Sequence, residues 1–258
     1  MNDYAGISVV LTGASRGLGE AVARRLIEGG AAHVFCISRT IHNDLCTAAS
    51  AKNVDLRWTQ CDLSDTRATT DVARAVCEAC IAEAEHTAVL INNAALLEPV
   101  ARIGAIDTQE LVDLHAVNTV APALFANAFL AASETRAHEL DTRILNISSG
   151  LGARAMAGVG MYCMSKAAMN MLTQVIQTEQ EGEPHPAWVC SVSPGTVESH
   201  MQKTLRDADE AHLRDRETFR ELKRSGKLNT PEFSAAKILS LVHRRDIASG
   251  TILSVADL

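Results

Sequence analysis

"ISVVLTGASRGLG", residues 7–19, decides the fold of this chain. Its first part, "ISVVLTG" (7–13), is apolar or β-branched at most positions and reads as a strand covered on both faces. The run passes directly into a turn holding Gly13, Gly17 and Gly19, and an amphipathic stretch over 18–29 follows. A glycine-rich turn between a first strand and a helix lets the backbone approach a pyrophosphate, whose charge then rests on the helix N-terminus. Gly13, Ser15, Arg16, Gly17, Leu18 and Gly19 are therefore the expected phosphate-binding residues.

Working outward, the same alternation runs to the end of the chain. "AHVFCIS" (32–38), "VDLRWTQ" (54–60), "TAVLIN" (87–92), "TRILNIS" (142–148), "AWVCSVS" (187–193) and "GTILSV" (250–255) read as further strands. Between them, helical patterns such as 65–84, 108–136 and 161–181 are long enough for crossovers. Repeated strand–helix units predict an α/β protein: a single-domain Rossmann fold with a doubly wound, mostly parallel seven-stranded sheet and helices on both faces. No linker or repeat divides the sequence, so 1–258 reads as one domain. Pro122 is expected to kink or restart its helix. The charged segment 200–230 reads as a helical insertion, placed where a flap would cover a site at the carboxyl ends of the strands.

Composition narrows the partners. The net charge of -7, with no lysine or arginine run, argues against a nucleic-acid or anionic-membrane surface. Aromatics are only 3% of residues, so the core must be largely aliphatic. No apolar run reaches bilayer length by inspection, and the N-terminus lacks a secretory layout. Seven scattered cysteines, an odd number, fit reduced thiols and a cytoplasmic protein. Cys77 and Cys80 form a Cys-x-x-Cys inside a helical pattern, which reads as packing rather than a redox or zinc motif.

The second strand selects the nucleotide. NAD-type sites place a carboxylate at its end for the ribose 2′-hydroxyl. Here the strand ends with Ser38 and Arg39, and Arg16 stands in the glycine turn. Two arginines and no acid favour the 2′-phosphate of NADP(H). Asp62 and Leu63, after the third strand, are placed to flank the adenine.

"GMYCMSKAAM" (160–169) contains one of only two tyrosines, Tyr162, with Lys166 one helical turn on. Together with "TGASRGLG", "NNAA" (92–95) and "NISS" (146–149), the order of these motifs resembles the short-chain dehydrogenase/reductase family across essentially the whole chain. Ser149 lies thirteen residues before Tyr162, the spacing used in that family, and Asn118 in "AVNTVAP" matches its asparagine. One departure is Ala95, where the family usually has glycine. The resemblance implies a catalytic set of Asn118, Ser149, Tyr162 and Lys166.

The chemistry behind that set is plain. Reducing a carbonyl needs a hydride on carbon and a proton on oxygen. A free tyrosine titrates near pH ~10, and a neighbouring ammonium is expected to draw it down so that Tyr162 exchanges a proton near neutrality. The resemblance further implies that Lys166 holds the nicotinamide ribose, Ser149 polarises the carbonyl, and Asn118 supports a water connecting Lys166 to solvent. It places Asn93 and Ala94 beside the cofactor. Pro194 and Gly195 would form the turn under the nicotinamide, with Val197 and Ser199 meeting its carboxamide.

The C-terminal third, with "SPGTVESHMQ", "FRELKRSGKL" and "SGTILSVADL", looks like the sepiapterin reductase and benzil reductase branch of the family. That implies NADPH-dependent reduction of a ketone or vicinal diketone, and a substrate wall of Leu151, Met156, Met201 and Gln202 beside Ser149 and Tyr162. The two methionines also suit plain packing. In that branch an acidic residue near the C-terminus anchors the pterin; Asp257 matches it, or is a penultimate aspartate in solvent. The expected partner is a small carbonyl compound, with a homodimer or homotetramer formed through 108–136 and 161–181. Two other readings stand beside this one. The first is an NADP-dependent reductase or dehydrogenase for another small ketone or alcohol, and the second is a non-catalytic nucleotide-sensing protein.

Overall fold

Strand β1 (Ile7–Thr12) is buried at every position, as an apolar run between two helix layers must be. In the computed structural model, which describes residues 3–258, it pairs in parallel with β2 (His33–Ser38) on one side. Outward from β2 lies β3 (Asp55–Gln60). On the other side follow β4 (Thr87–Asn92), β5 (Asp141–Ile147), β6 (Trp188–Ser193) and β7 (Ile252–Ser254). The sheet has seven strands, all parallel, in the order β3-β2-β1-β4-β5-β6-β7. The order reverses between β1 and β4, where an open α/β sheet leaves a crevice at its carboxyl edge.

The period of two along each strand divides the core into two layers. Val9, Leu11, Val34, Cys36 and Val89 face α1 (Gly17–Glu28), α2 (Asn43–Lys52) and α9 (Pro231–Ser240). Val10, Phe35, Ile37, Ala88 and Leu90 face the opposite layer. That layer contains α3 (Thr66–Glu83) and a long rod of α4 (Thr108–His115), a π-helical turn at Ala116–Val120, and α5 (Ala121–Ser133). Alongside the rod runs α6 (Gly160–Gln180). The sequence patterns do not single out α2 and α9; α1, α3, the rod and α6 match the expected helical stretches closely.

Two expectations change here. The helical run Thr108–Arg136 is, by length and composition, long and apolar enough to cross a membrane. It is instead half buried as a core element, with Phe125 and Phe129 fully enclosed against α3. Pro122 does not simply kink the rod. Its missing N–H leaves the preceding turn without an α-type partner, and the chain takes the wider π pitch just before it.

Cys77 and Cys80 are buried in α3, where burial pushes both thiols up, and Cys77 donates to the Phe125 carbonyl. They pack; they are not poised for redox chemistry. The insertion forms α7 (His200–Asp207) and α8 (Arg216–Arg224). Leu205 and Phe219 from these helices turn inward onto Leu97 and Val159, while Glu198 ties the pair together by accepting from Arg206 and Lys223 at 2.9 and 2.8 Å.

Candidate active site

At the carboxyl end of β5 the chain reaches Ser148 and Ser149. Ser149 opens a short 3-10 turn, Gly150–Gly152, and its hydroxyl accepts from the Leu151 N–H at 3.1 Å. The turn lies directly on α6: a Cβ on Gly152 would stand 2.8 Å from the Lys166 carbonyl oxygen, so only glycine fits. Ser148 donates to Asn170 at 2.7 Å, as does Ser191 of β6, and this fixes strand ends and helix relative to each other.

Tyr162 and Lys166 occupy successive turns of α6 and point to the same face, both buried. Lys166 Nζ donates to the Ile147 carbonyl at 2.8 Å and lies 5.6 Å from the centre of the Tyr162 ring. Burial pushes the Tyr162 phenol up to about 12, with the Ser149 hydroxyl acting in the opposite sense. Burial also brings Lys166 down to about 8. The expectation of a phenol drawn toward neutrality by its lysine is therefore not met. Desolvation dominates the phenol, and the ammonium donates to a backbone carbonyl instead. Tyr162 is a neutral phenol across the physiological range, the form a proton donor requires.

Asn118 sits in the π turn, fully buried. Its amide accepts from Leu96 N–H at 2.7 Å, donates to the Leu96 carbonyl at 2.8 Å, and donates to Ser165 Oγ at 3.0 Å. The side chain is thus a brace between the segment after β4 and the helix bearing Tyr162. Both ends of the amide are committed to the protein.

The nucleotide end is built around the glycine turn. Gly13 and Gly17 have φ of 74° and 58°, and a Cβ on Gly19 would come within 2.0 Å of the Gly13 carbonyl. At Gly17 a Cβ would meet nothing within 4 Å, so the turn leaves an open cradle on that side. No side chain caps the N-terminus of α1. Asn93 donates to the Thr12 and Gly13 carbonyls at 2.9 and 3.1 Å, bracing the turn from behind. Arg16 and Arg39 are exposed, and neither forms an ion pair among the described residues. Ser38 is buried and held by Thr40 and Trp58; Asp62 accepts from Ser64.

One cleft of about 640 Å³ joins these parts. Every residue expected at the cofactor lines it, with Ser149, Tyr162, Lys166, Leu151, Met156, Met201 and Gln202. Pro194 accepts from Ser234, and Gly195, at φ 75°, could not carry a side chain without striking Asn229 at 2.6 Å. Val197 pairs with Asn229, and Ser199 caps α7 by accepting from Gln202 N–H. Asn118 supports the cleft from behind without lining it. Asp257 lies outside its lining: it is exposed and accepts from the Ser254 N–H at 2.7 Å in a capping box. Sequence reading missed Leu205 and Phe219, which wall the cleft from the insertion. Their only signal is apolar residues on otherwise charged helices.

A phosphate cradle opening onto a buried Ser–Tyr–Lys cluster at the switch point of a parallel sheet defines a nucleotide-dependent oxidoreductase of the Rossmann type. The family described as short chain dehydrogenase matches residues 8–210, and the chain belongs to it. It is 30% identical over 247 residues to a benzil reductase ((S)-benzoin forming) of Bacillus cereus, covering 96% of this chain and 98% of that protein. It is 31% identical over 257 residues to the sepiapterin reductase of Meriones unguiculatus, covering 96% and 95%. A metagenomic short-chain oxidoreductase solved in complex with NADP superposes with a TM-score of 0.72 at 26% identity, over 98% of this chain and 99% of that one.

Proposed function

We propose that this chain is an NADPH-dependent carbonyl reductase acting on a ketone or vicinal diketone. The observation that carries the reading is a neutral, buried Tyr162 phenol sharing one cleft with Ser149 and Lys166. The residues fit NADP(H): the open cradle at Gly17, the uncapped N-terminus of α1, and two exposed arginines with no carboxylate partner suit a pyrophosphate and a 2′-phosphate. When bound, the cofactor supplies the hydride.

The protein supplies the rest. Ser149 donates a hydrogen bond to the carbonyl oxygen and fixes its position. Tyr162 delivers the proton to that oxygen, and its position in the first turn of α6 is held by the Asn118–Ser165 brace. Lys166, charged below about pH 8, places a positive field behind the phenol as it loses its proton. Leu97, Leu205 and Phe219 exclude water from the far wall. Similarity to a benzil reductase and a sepiapterin reductase supports carbonyl chemistry on either a diaryl diketone or a pterin ketone.

We further propose a homodimer or homotetramer built on the rod and α6, which expose Val112, Val120, Met164, Met171 and Val175. The test of function is NADPH oxidation with benzil and with sepiapterin, repeated with Tyr162→Phe. Turnover of either ketone by the native chain, lowered at least roughly 100-fold in the variant with NADPH affinity retained, supports the reading. Equal rates in both proteins would sink it.

A further inference from the structure

The segment carrying α7 and α8 departs after Ser199 and returns at Asn229, and the two sides of that neck are bonded to each other. Glu198 N–H donates to the Asn229 carbonyl at 2.9 Å, and Asn229 N–H donates to the Thr196 carbonyl at 2.8 Å. Residues 193–197 and Ser199 line the cleft beside the end of β5, where Ser149 stands. Glu198 does not line it; its carboxylate is turned toward the two helices.

The helices α7 and α8 form one body. Arg220 Nε and Arg216 Nη1 of α8 donate to the carbonyls of Arg206 and Ala208 at 3.0 and 3.3 Å, with Leu205 and Phe219 in one apolar cluster beneath. Two cations of this body reach back to the neck. Arg206 Nη2 donates to Glu198 Oε1 at 2.9 Å, and Lys223 Nζ donates to Oε2 at 2.8 Å. The hydrogen bond from Lys223, followed by that from Arg206, holds the Glu198 carboxyl below the usual carboxylate range. The two contacts differ in weight. Lys223 is 54% exposed, where an ion pair is worth little. Arg206 is only 15% exposed, its Nη1 is closed to solvent without a partner, and Glu198 is its one ion pair among the described residues. Removing the carboxylate strands a mostly buried guanidinium, which regains water only if α7 swings away from the neck.

A dinucleotide with its 2′-phosphate at Arg39 beyond β2 and its pyrophosphate at the glycine turn must lay its other nucleoside over β4, β5 and β6. The wall it meets there is the segment 194–199. We propose that Glu198 is a positioning residue: it latches the α7–α8 flap closed and thereby sets this wall against the nicotinamide half of NADP(H). It touches neither cofactor nor substrate. The proposal rests on NADP(H) occupying the cleft and adds what shapes one half of that site.

The experiment measures dissociation constants for NADPH and for 2′-phospho-ADP-ribose, which keeps the phosphates and lacks the nicotinamide, by calorimetric titration. The proteins are the native chain, Glu198→Gln, Lys223→Met and the double variant. Glu198→Gln should weaken NADPH roughly tenfold, and Lys223→Met about threefold. The double variant should bind no more weakly than Glu198→Gln, because without the carboxylate Lys223 has nothing to hold. Affinity for the fragment should stay within about twofold throughout, since its contacts lie far from the neck.

Equal losses for NADPH and the fragment mark a general loosening of the fold and overturn the proposal. Unchanged NADPH affinity in both single variants does the same. So does a double variant whose losses multiply to roughly thirtyfold, because the two contacts then act independently. If Glu198→Gln does not fold, Lys223→Met on the outer helix decides alone, by whether its loss is confined to NADPH. A native chain that binds neither nucleotide removes the cofactor reading itself, and the proposal with it.

Discussion

Lys166 Nζ stands 5.6 Å from the centre of the Tyr162 ring and donates a hydrogen bond to the Ile147 carbonyl, not to the phenol. The two residues share a helix face, yet their ionisation is governed by burial before it is governed by each other. Tyr162 is raised to about 12 and Lys166 lowered to about 8.

This pair fixes the pH profile. Below about pH 8 Lys166 is charged and Tyr162 holds its proton. The alkaline limb of kcat/KM for reduction should therefore fall with an apparent pKa near 8, set by the lysine. A limb appearing only above pH 10 would assign it to the phenol instead. Initial rates across a buffered pH series decide the matter.

The same lysine burdens the fold. Its folded pKa lies below the model-compound value of 10.5, so between about 8 and 10.5 the unfolded chain binds more protons than the folded one. Stability rises with pH in that window, and the penalty is fully present below about 8. Lys166→Met should be inactive but more stable at pH 7 by roughly 2 kcal/mol, the shift less the loss of a partner for Ile147. The gain should vanish toward pH 10.5, as read from denaturant melts at both pH values.

Two glycines of the cofactor turn should respond differently to alanine. A Cβ at Gly19 meets the Gly13 carbonyl at 2.0 Å and Asn93 Nδ2 at 2.6 Å, so the turn or the helix must move. Gly19→Ala should lose about 3 kcal/mol of stability along with measurable NADPH binding. Gly17→Ala meets no atoms but sits at φ 58°, and should cost only about 1 kcal/mol.

Arg39 is exposed and without an ion-pair partner at the end of β2. Arg39→Ala should weaken NADPH binding about tenfold, the loss of one charge-assisted contact, and leave NADH binding unchanged. Calorimetric titration of both nucleotides checks this; equal losses for the two would remove the 2′-phosphate role.

Asp257 accepts from Ser254 N–H and stays out of the cleft. Asp257→Ala should leave kcat/KM for sepiapterin and benzil within twofold and cost less than about 1 kcal/mol as a lost cap. A collapse confined to sepiapterin would restore it as a pterin anchor.

Local pattern determined a great deal by itself. The seven strands follow from short apolar runs, the phosphate turn from its glycines, and the same-face placement of Tyr162 and Lys166 from the 3.6-residue helical period, all of them properties of short segments. Ser149 was placed by the family resemblance, through its thirteen-residue spacing to Tyr162. What the sequence left undecided depends on residues far apart in the chain. Asn118 became a brace because folding brings Leu96 and Ser165 to either end of its amide. The ionisation of Tyr162 and Lys166 was set by how completely β5, α6 and the insertion exclude water. Solvent exclusion and partner geometry are sums over the whole packed molecule, so only the tertiary structure could decide them.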